Sequence, residues 1–286
     1  MSLDPVPPAA PPAEDVLEAL GRAVTAPGHE AADDVRERFA GRTAYDLGRL
    51  AALAVWWAEV RDDATAPPPV RAVVIGADER VPLPDAATRR DLRPPDDVEA
   101  AVGWGRDLAD SLADSGTDVA FLATAGGLTG RALAGYLMGL DPVETNGWPA
   151  GPERDDAWMG EVESVRDALW RLRGLRGQPM AMLRVLGDAR VAASTAFLVQ
   201  SAARRTPVVL DGPGAAAAAL LAARCNRTGQ QWWQAAELGD VPLHERTLNA
   251  LGLTPLTRLD LHVEDGTASA AALALLGLAA GLLRRG

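Results

Sequence analysis

The chain contains no lysine; all 28 of its basic residues are arginine. Schiff-base chemistry on a lysine amine is therefore excluded, and so is a phosphate-binding loop built on a lysine. Cysteine is almost as scarce. Cys225 stands alone, so no disulfide closes within the chain and no thiolate metal site can form. That usage suits a reducing cytosol, and a cytoplasmic location is the expectation. The three histidines (His29, His244 and His262) have no metal-ligand spacing, and no metal is expected. Positive charge is outweighed by 39 acidic residues, leaving a net −11. An electrostatic grip on nucleic acid or on an anionic membrane is excluded at that balance. A small anion can still be held locally by backbone amides and a few arginines. The opening MSLDPVPPAAPPAED lacks the order of a signal peptide, and residues 1–14 are expected to form a disordered, proline-rich tail. The apolar run at 268–283 is short for a membrane span and rich in Ala and Gly, so it is expected to be a buried helix.

What the chain does have is core. Its 286 residues are 48% hydrophobic, enough for one large domain or two modest ones. Helical spacing marks 15–24, 31–39, 42–63, 98–115, 155–172, 179–186 and 189–203, with further helices at 131–140, 213–224 and 244–251. Short apolar runs bounded by turn residues mark strands in VRAVVIGA, TDVAFLA and TPVVLDG. QQWWQAAEL reads as a fourth strand and TRLDLHV as a strand or extended segment. The stretches 83–99 and 142–152 read as loops. Strands alternate with helices and hairpin signals are missing, which predicts an α/β fold with a Rossmann-like parallel sheet flanked by helices.

In such sheets, ligands bind beyond the C-terminal ends of the strands. Three ends carry suggestive loops: Asp78-Glu79-Arg80, TAGGLTGR, and Asp211-Gly212. The second is the best phosphate candidate. Gly126, Gly127 and Gly130 allow a tight turn with amides aimed at an anion, and Arg131 can pair with phosphate oxygens. The same glycines would also serve only to turn a strand into a helix. Asp211 reads as a substrate contact or as a cap on the helix that follows it. His244 reads as a ligand contact or as an ordinary histidine. The pairs Trp56-Trp57 and Trp232-Trp233 suit a core or an interface, or one ring could stack on a planar ligand. Glu264 and Asp265 stand at the edge of the last apolar run. Acids there favour a helix N-terminus, which Thr267 can cap; they equally suit a catalytic carboxylate at the mouth of a pocket.

Taken in order, the motifs resemble the nicotinate-nucleotide–dimethylbenzimidazole phosphoribosyltransferase family of cobalamin synthesis. MLRVLGDARVAASTAFLVQSAARRTPVVLDGPGAAAAALLAAR is similar to the family's segment entering a Pro-Val-Val-Leu-Asp-Gly strand and an Ala-rich helix. HERTLNALGLTPLTRLDL is similar to its His, Leu-Gly-Leu and Pro-Leu run, and VEDGTASAAALALL to its closing Gly-Glu-Gly-Thr-Gly-Ala. LGRLAALAVWWA and VVIGADERV extend the likeness upstream, so that it covers roughly 42–283. The resemblance implies transfer of phosphoribose from nicotinate mononucleotide to dimethylbenzimidazole or a related aromatic base, giving α-ribazole phosphate. It implies a homodimer that needs no metal or organic cofactor. It also implies a sheet subdomain near 63–242 and a smaller helical subdomain near 15–62 plus 243–286.

Aligned on Gly266-Thr267, the family's catalytic Glu falls on Asp265, one methylene shorter, with Glu264 beside it; a small backbone shift would let Glu264 serve. Gly126, Gly127, Thr129, Gly130 and Arg131 take the place of the phosphate loop. Asp78, Asp211, Gly212, His244, Gly266 and Thr267 fall at substrate contacts. A second family acid becomes Thr124, and the phosphate-contacting lysine falls near Glu161. Two readings follow. One is an active transferase in which Arg131 takes over the phosphate and Asp265 or Glu264 is the base. The other is an inactive homologue that binds a ligand or a partner. A cleft shared by Arg131 and the closing carboxylate would favour the first; Glu161 facing that cleft would favour the second.

Overall fold

The computed structural model describes residues 15–40, 47–124, 126–147, 155–261 and 264–284. The tail expected at 1–14, the start of the helix expected at 42–63, and His262 lie outside them.

Three fully buried strands form the centre: β1 (Ala72–Ile75), β3 (Val119–Ala123) and β4 (Val208–Asp211). Their residues show no apolar–polar alternation because helices cover both faces. β2 (Ala87–Arg90), β5 (Trp233–Glu237) and β6 (Pro255–Thr257) complete the sheet. The order is β2-β1-β3-β4-β5-β6 and every pairing is parallel. The register brings Ile75, Leu122, Leu210 and Ala235 into one row, so the central strands end level. The chain adds β2 on one side of β1 and β3 on the other, and the gap between β1 and β3 is the switch point where such sheets hold ligands.

Twelve α-helices are described: α1 (Val16–Gly21), α2 (Glu30–Arg38), α3 (Arg49–Arg61), α4 (Val98–Asp114), α5 (Gly127–Met138), α6 (Pro142–Asn146), α7 (Asp155–Arg171), α8 (Pro179–Leu186), α9 (Ala189–Ala203), α10 (Pro213–Cys225), α11 (Pro242–Leu251) and α12 (Thr267–Leu283). Several start on residues chosen for the purpose. Asp97 accepts the amide of Ala100 at the start of α4, and Asp188 accepts those of Arg190 and Val191 at the start of α9. Asp141 and Glu144 form a reciprocal capping box on α6. The helices α4 and α9 pack tightly because Gly105 has no side chain; a Cβ there would fall on the backbone carbonyl of Ala193. The apolar run expected to be buried is α12, which packs on β3, β4 and β5 and against α3. Among the described residues, no helix is long and apolar enough to cross a membrane.

Four expectations are corrected. The stretch 83–99 is not all loop, since it contains β2. β2 pairs only with β1 and carries Arg89 and Arg90; charge on an edge strand blocks further pairing and hides the strand's apolar signal. The stretch 142–152 contains α6, too short to show periodicity. The last strand ends at Thr257, so among the described residues of TRLDLHV only the first is strand; residues 262 and 263 lie outside them. Residues Arg227–Trp232 form a 3-10 turn, and β5 begins only at Trp233. The tryptophans Trp56, Trp57, Trp232 and Trp233 are all core.

Candidate active site

The loop that enters α12 passes over the level strand ends and is tied on both sides. The amide of Asp78, after β1, donates to the carbonyl of Asp265 at 2.8 Å. The amide of Gly126, after β3, donates to Oε2 of Glu264 at 2.9 Å. Glu264 can lie there because Gly212, after β4, leaves room. Gly212 has φ +92°, and a Cβ on it would stand 2.9 Å from Cγ of Glu264. Burial raises the proton affinity of the Glu264 carboxyl; the Gly126 hydrogen bond and the nearby Arg131 charge oppose that rise.

Three cavities share Glu264 as a wall. The larger of the two beside α11, about 360 Å³, is lined by Gly126, Gly127, Gly130 and Arg131, with Pro213 and Thr247 opposite. The smaller, about 140 Å³, is lined by Asp211, Gly212, Glu237, His244 and Leu261. The third, about 220 Å³, lies at the β1–β3 switch point beside Thr124, Arg93 and Arg190.

Asp265 lines none of these cavities. Its Oδ1 accepts the amide of Thr267 at 3.0 Å, closing the first turn of α12. The cap expected of Thr267 is thus supplied by Asp265: Thr267 is the first helical residue, and Gly266 precedes it with φ +94°. Asp211 also caps α12, and not the helix that follows it. It is 1% exposed, and its Oδ2 accepts from the amide and hydroxyl of Ser269 at 2.7 and 2.6 Å. Burial pushes its pKa up to about 6, with Asp265 and Glu237 adding to the rise against the Ser269 bonds.

Arg131 points across the mouth of the larger cavity. Its Nη1 donates to Oδ1 of Asn146 at 2.6 Å and to Oε2 of Glu161 at 3.1 Å. Glu161 is therefore the partner of Arg131 and is not a lining residue of that cavity. Asp78 stands apart from the cavities. Arg80 grips its carboxylate through Nε and Nη2 at 2.8 and 2.9 Å and holds its pKa well below the usual carboxylate range. Thr129 is half-buried and lines no cavity described above. Cys225 is inert, its thiol pushed up to about 12 by burial. Glu237 was missed in the sequence; an acid at the C-terminal end of a strand was the available signal. Asn146 was missed because its short helix was.

A partly buried carboxylate of raised proton affinity can take a proton from a ring N–H, while glycine amides and a guanidinium hold an anion beside it. Comparison with known proteins joins that chemistry to a family. Residues 92–285 match the family model described as phosphoribosyltransferase. The chain belongs to the nicotinate-nucleotide–dimethylbenzimidazole phosphoribosyltransferase family. A family member from Corynebacterium glutamicum is 37% identical over 189 residues, covering 65% of this chain and 52% of that protein. One from Mycobacterium tuberculosis is 38% identical over 191 residues, covering 66% and 53%. Both carry the family's full name, and the chain matches about half the length of each. CobT from Thermus thermophilus superposes with a TM-score of 0.74 over 89% of this chain and 96% of its own; at 22% identity it supports the fold.

Proposed function

We propose that the chain transfers phosphoribose from nicotinate mononucleotide to dimethylbenzimidazole or a related base. The observation that carries this reading is the position of Glu264, a wall shared by an arginine-bearing cavity and an acid-ringed one. The first amides of α5 and Arg131 hold the phosphate, and the base lies in the smaller cavity. One ring nitrogen of the base attacks the anomeric carbon as the bond to the nicotinate nitrogen breaks. The other ring nitrogen gives its proton to Glu264. The products are α-ribazole phosphate, nicotinate and a proton. Holding both reactants in adjoining cavities supplies the proximity that such a displacement needs.

Glu264 takes the base's role because Asp265 is spent on the α12 turn. The pairing of Arg131 with Glu161 answers the charge that would otherwise repel a phosphate, and it stands where the family's lysine is missing. The same reading takes the packing of α2, α3 and α12 as the smaller helical subdomain and the active form as a cytoplasmic homodimer, which sedimentation of the purified chain would test. The deciding experiment is chromatographic: purified protein with nicotinate mononucleotide and dimethylbenzimidazole. Accumulation of α-ribazole phosphate with equimolar nicotinate is expected. No product from folded protein across a set of related bases would sink the reading.

A further inference from the structure

Five polar side chains line the smaller cavity, and three of the acids, Glu237, Asp211 and Glu264, accept hydrogen bonds from within the protein. Glu237 accepts from the Leu261 amide at 2.9 Å and from the Thr257 hydroxyl at 3.2 Å. Asp211 takes both Ser269 donors through Oδ2, and Glu264 takes the Gly126 amide. His244 is different. It is 2% exposed, and its Nδ1 accepts the amide of Gly239 at 3.0 Å. Burial lowers its pKa to about 4, so the ring is neutral near pH 7. A neutral imidazole whose Nδ1 accepts carries its proton on Nε2. Among the described residues that N–H has no acceptor, yet Nε2 is not one of the polar atoms sealed away from solvent without a partner. It therefore keeps some contact with solvent, and the opening beside the ring is the cavity that His244 lines.

The charge of the cavity says what can meet it. Asp211, Glu237, Asp240 and Glu264 ring the space, which disfavours the phosphate or the carboxylate of the donor nucleotide. Pro213, Val241, Leu261 and Ala268 supply apolar walls. A small, neutral, flat ligand fits, provided that its edge carries an acceptor. A buried donor left unmet by an apolar edge is the element that gives such sites strong discrimination.

We propose that His244 selects the accepting base: its Nε2–H is given to a carbonyl or hydroxyl oxygen on the edge of a planar heterocycle lying in the smaller cavity, away from the two ring nitrogens that react. Naming this ligand the acceptor rests on the transferase reading. Of the bases that reading admits, those with a polar edge bind better than those with only methyl groups there.

The test is calorimetric titration of the full chain with 5-hydroxybenzimidazole and with 5,6-dimethylbenzimidazole. The wild type should bind the hydroxy compound at least about tenfold more tightly. His244→Asn keeps an acceptor for the Gly239 amide and removes the outer donor; it should bind the two alike. His244→Gln puts an amide N–H near the place of Nε2 and should keep the preference. No preference in the wild type, or a preference that survives in His244→Asn, overturns the assignment. Thermal unfolding of each variant checks that it is folded, and if Asn fails that check the wild-type preference and the Gln variant decide. Transfer from nicotinate mononucleotide is followed in parallel. Turnover without the preference defeats the role of His244 alone, whereas the preference without turnover defeats the transferase reading and leaves the base pocket standing.

Discussion

The loops after β1 and β3 leave neighbouring strands at the same level of the sheet and are put to opposite uses. In the first, the Asp78 carboxylate is closed on Arg80 in an exposed two-pronged pair, and the loop serves the site only through its backbone amide. In the second, a backbone amide holds the Glu264 side chain, and Arg131 faces a cavity. The segment entering α12 bridges the two. Asp265 turns toward the first loop and its own helix, and Glu264 turns toward the second. Under the proposed function, two adjacent acids thus divide into a structural group and a chemical one. What separates them is which strand end each faces and how much water each has lost: solvent and Arg80 keep Asp78 ionised, whereas burial makes Glu264 hold its proton more tightly.

The comparison can be broken from the second side first. Gly212→Ala leaves every acid in place but pushes a methyl into Cγ of Glu264 at a backbone φ of +92°. A misplacement of about 1 Å is worth about a hundredfold in rate, so kcat/KM should fall by that order while unfolding stays cooperative. Unchanged turnover in a folded variant would detach Glu264 from the chemistry. Arg131→Ala should act next most strongly. It removes a charge-assisted contact and should raise KM for nicotinate mononucleotide about tenfold or more, with KM for the base unchanged. A rise confined to the base would place the anion elsewhere.

Asp211 sharpens the comparison through pH. Its pKa is about 6 in the fold against an ordinary 3.8, so the folded chain holds this proton more tightly than the unfolded one. Stability from the protonated form is fully present below about pH 4 and is lost as pH rises through about 6. Asp211→Asn has no such loss. Its Tm relative to wild type should therefore climb between pH 4 and pH 6 and level above; a constant difference contradicts the assignment. The smallest effect belongs to the first loop. Asp78→Ala removes an exposed pair and the hydrogen bond from the Arg80 amide, and kcat/KM should stay within about twofold of wild type.

The central strands were readable because a buried parallel strand is a continuous apolar run, as in AVVI and VAFLA. β2 was not, because its arginines serve an edge. The phosphate-loop candidates were readable from glycine spacing, and Gly126, Gly127, Gly130 and Arg131 do gather on one cavity. The proposed division of labour between Glu264 and Asp265 was not. Alignment on Gly266-Thr267 favours Asp265, but one step along an irregular backbone reverses the direction of a side chain. Nor could local pattern pair Asp211 with Ser269, 58 residues away, since that contact exists only once α12 has docked on the sheet. Glu161 was readable as an acid near the phosphate loop, but its pairing with Arg131 was not, because the two come from different helices.

The central claim is that Glu264, and not its neighbour, is the carboxylate at the reacting base. The most direct test is a side-by-side transfer assay of Glu264→Gln and Asp265→Asn, each shape-conserving. The account predicts a loss of at least about a hundredfold in kcat for Glu264→Gln, the usual worth of a general base. Asp265→Asn should keep turnover near wild type and lose only a little thermal stability at the start of α12. The reverse pattern, a silent Asp265→Asn beside an active Glu264→Gln, would contradict it.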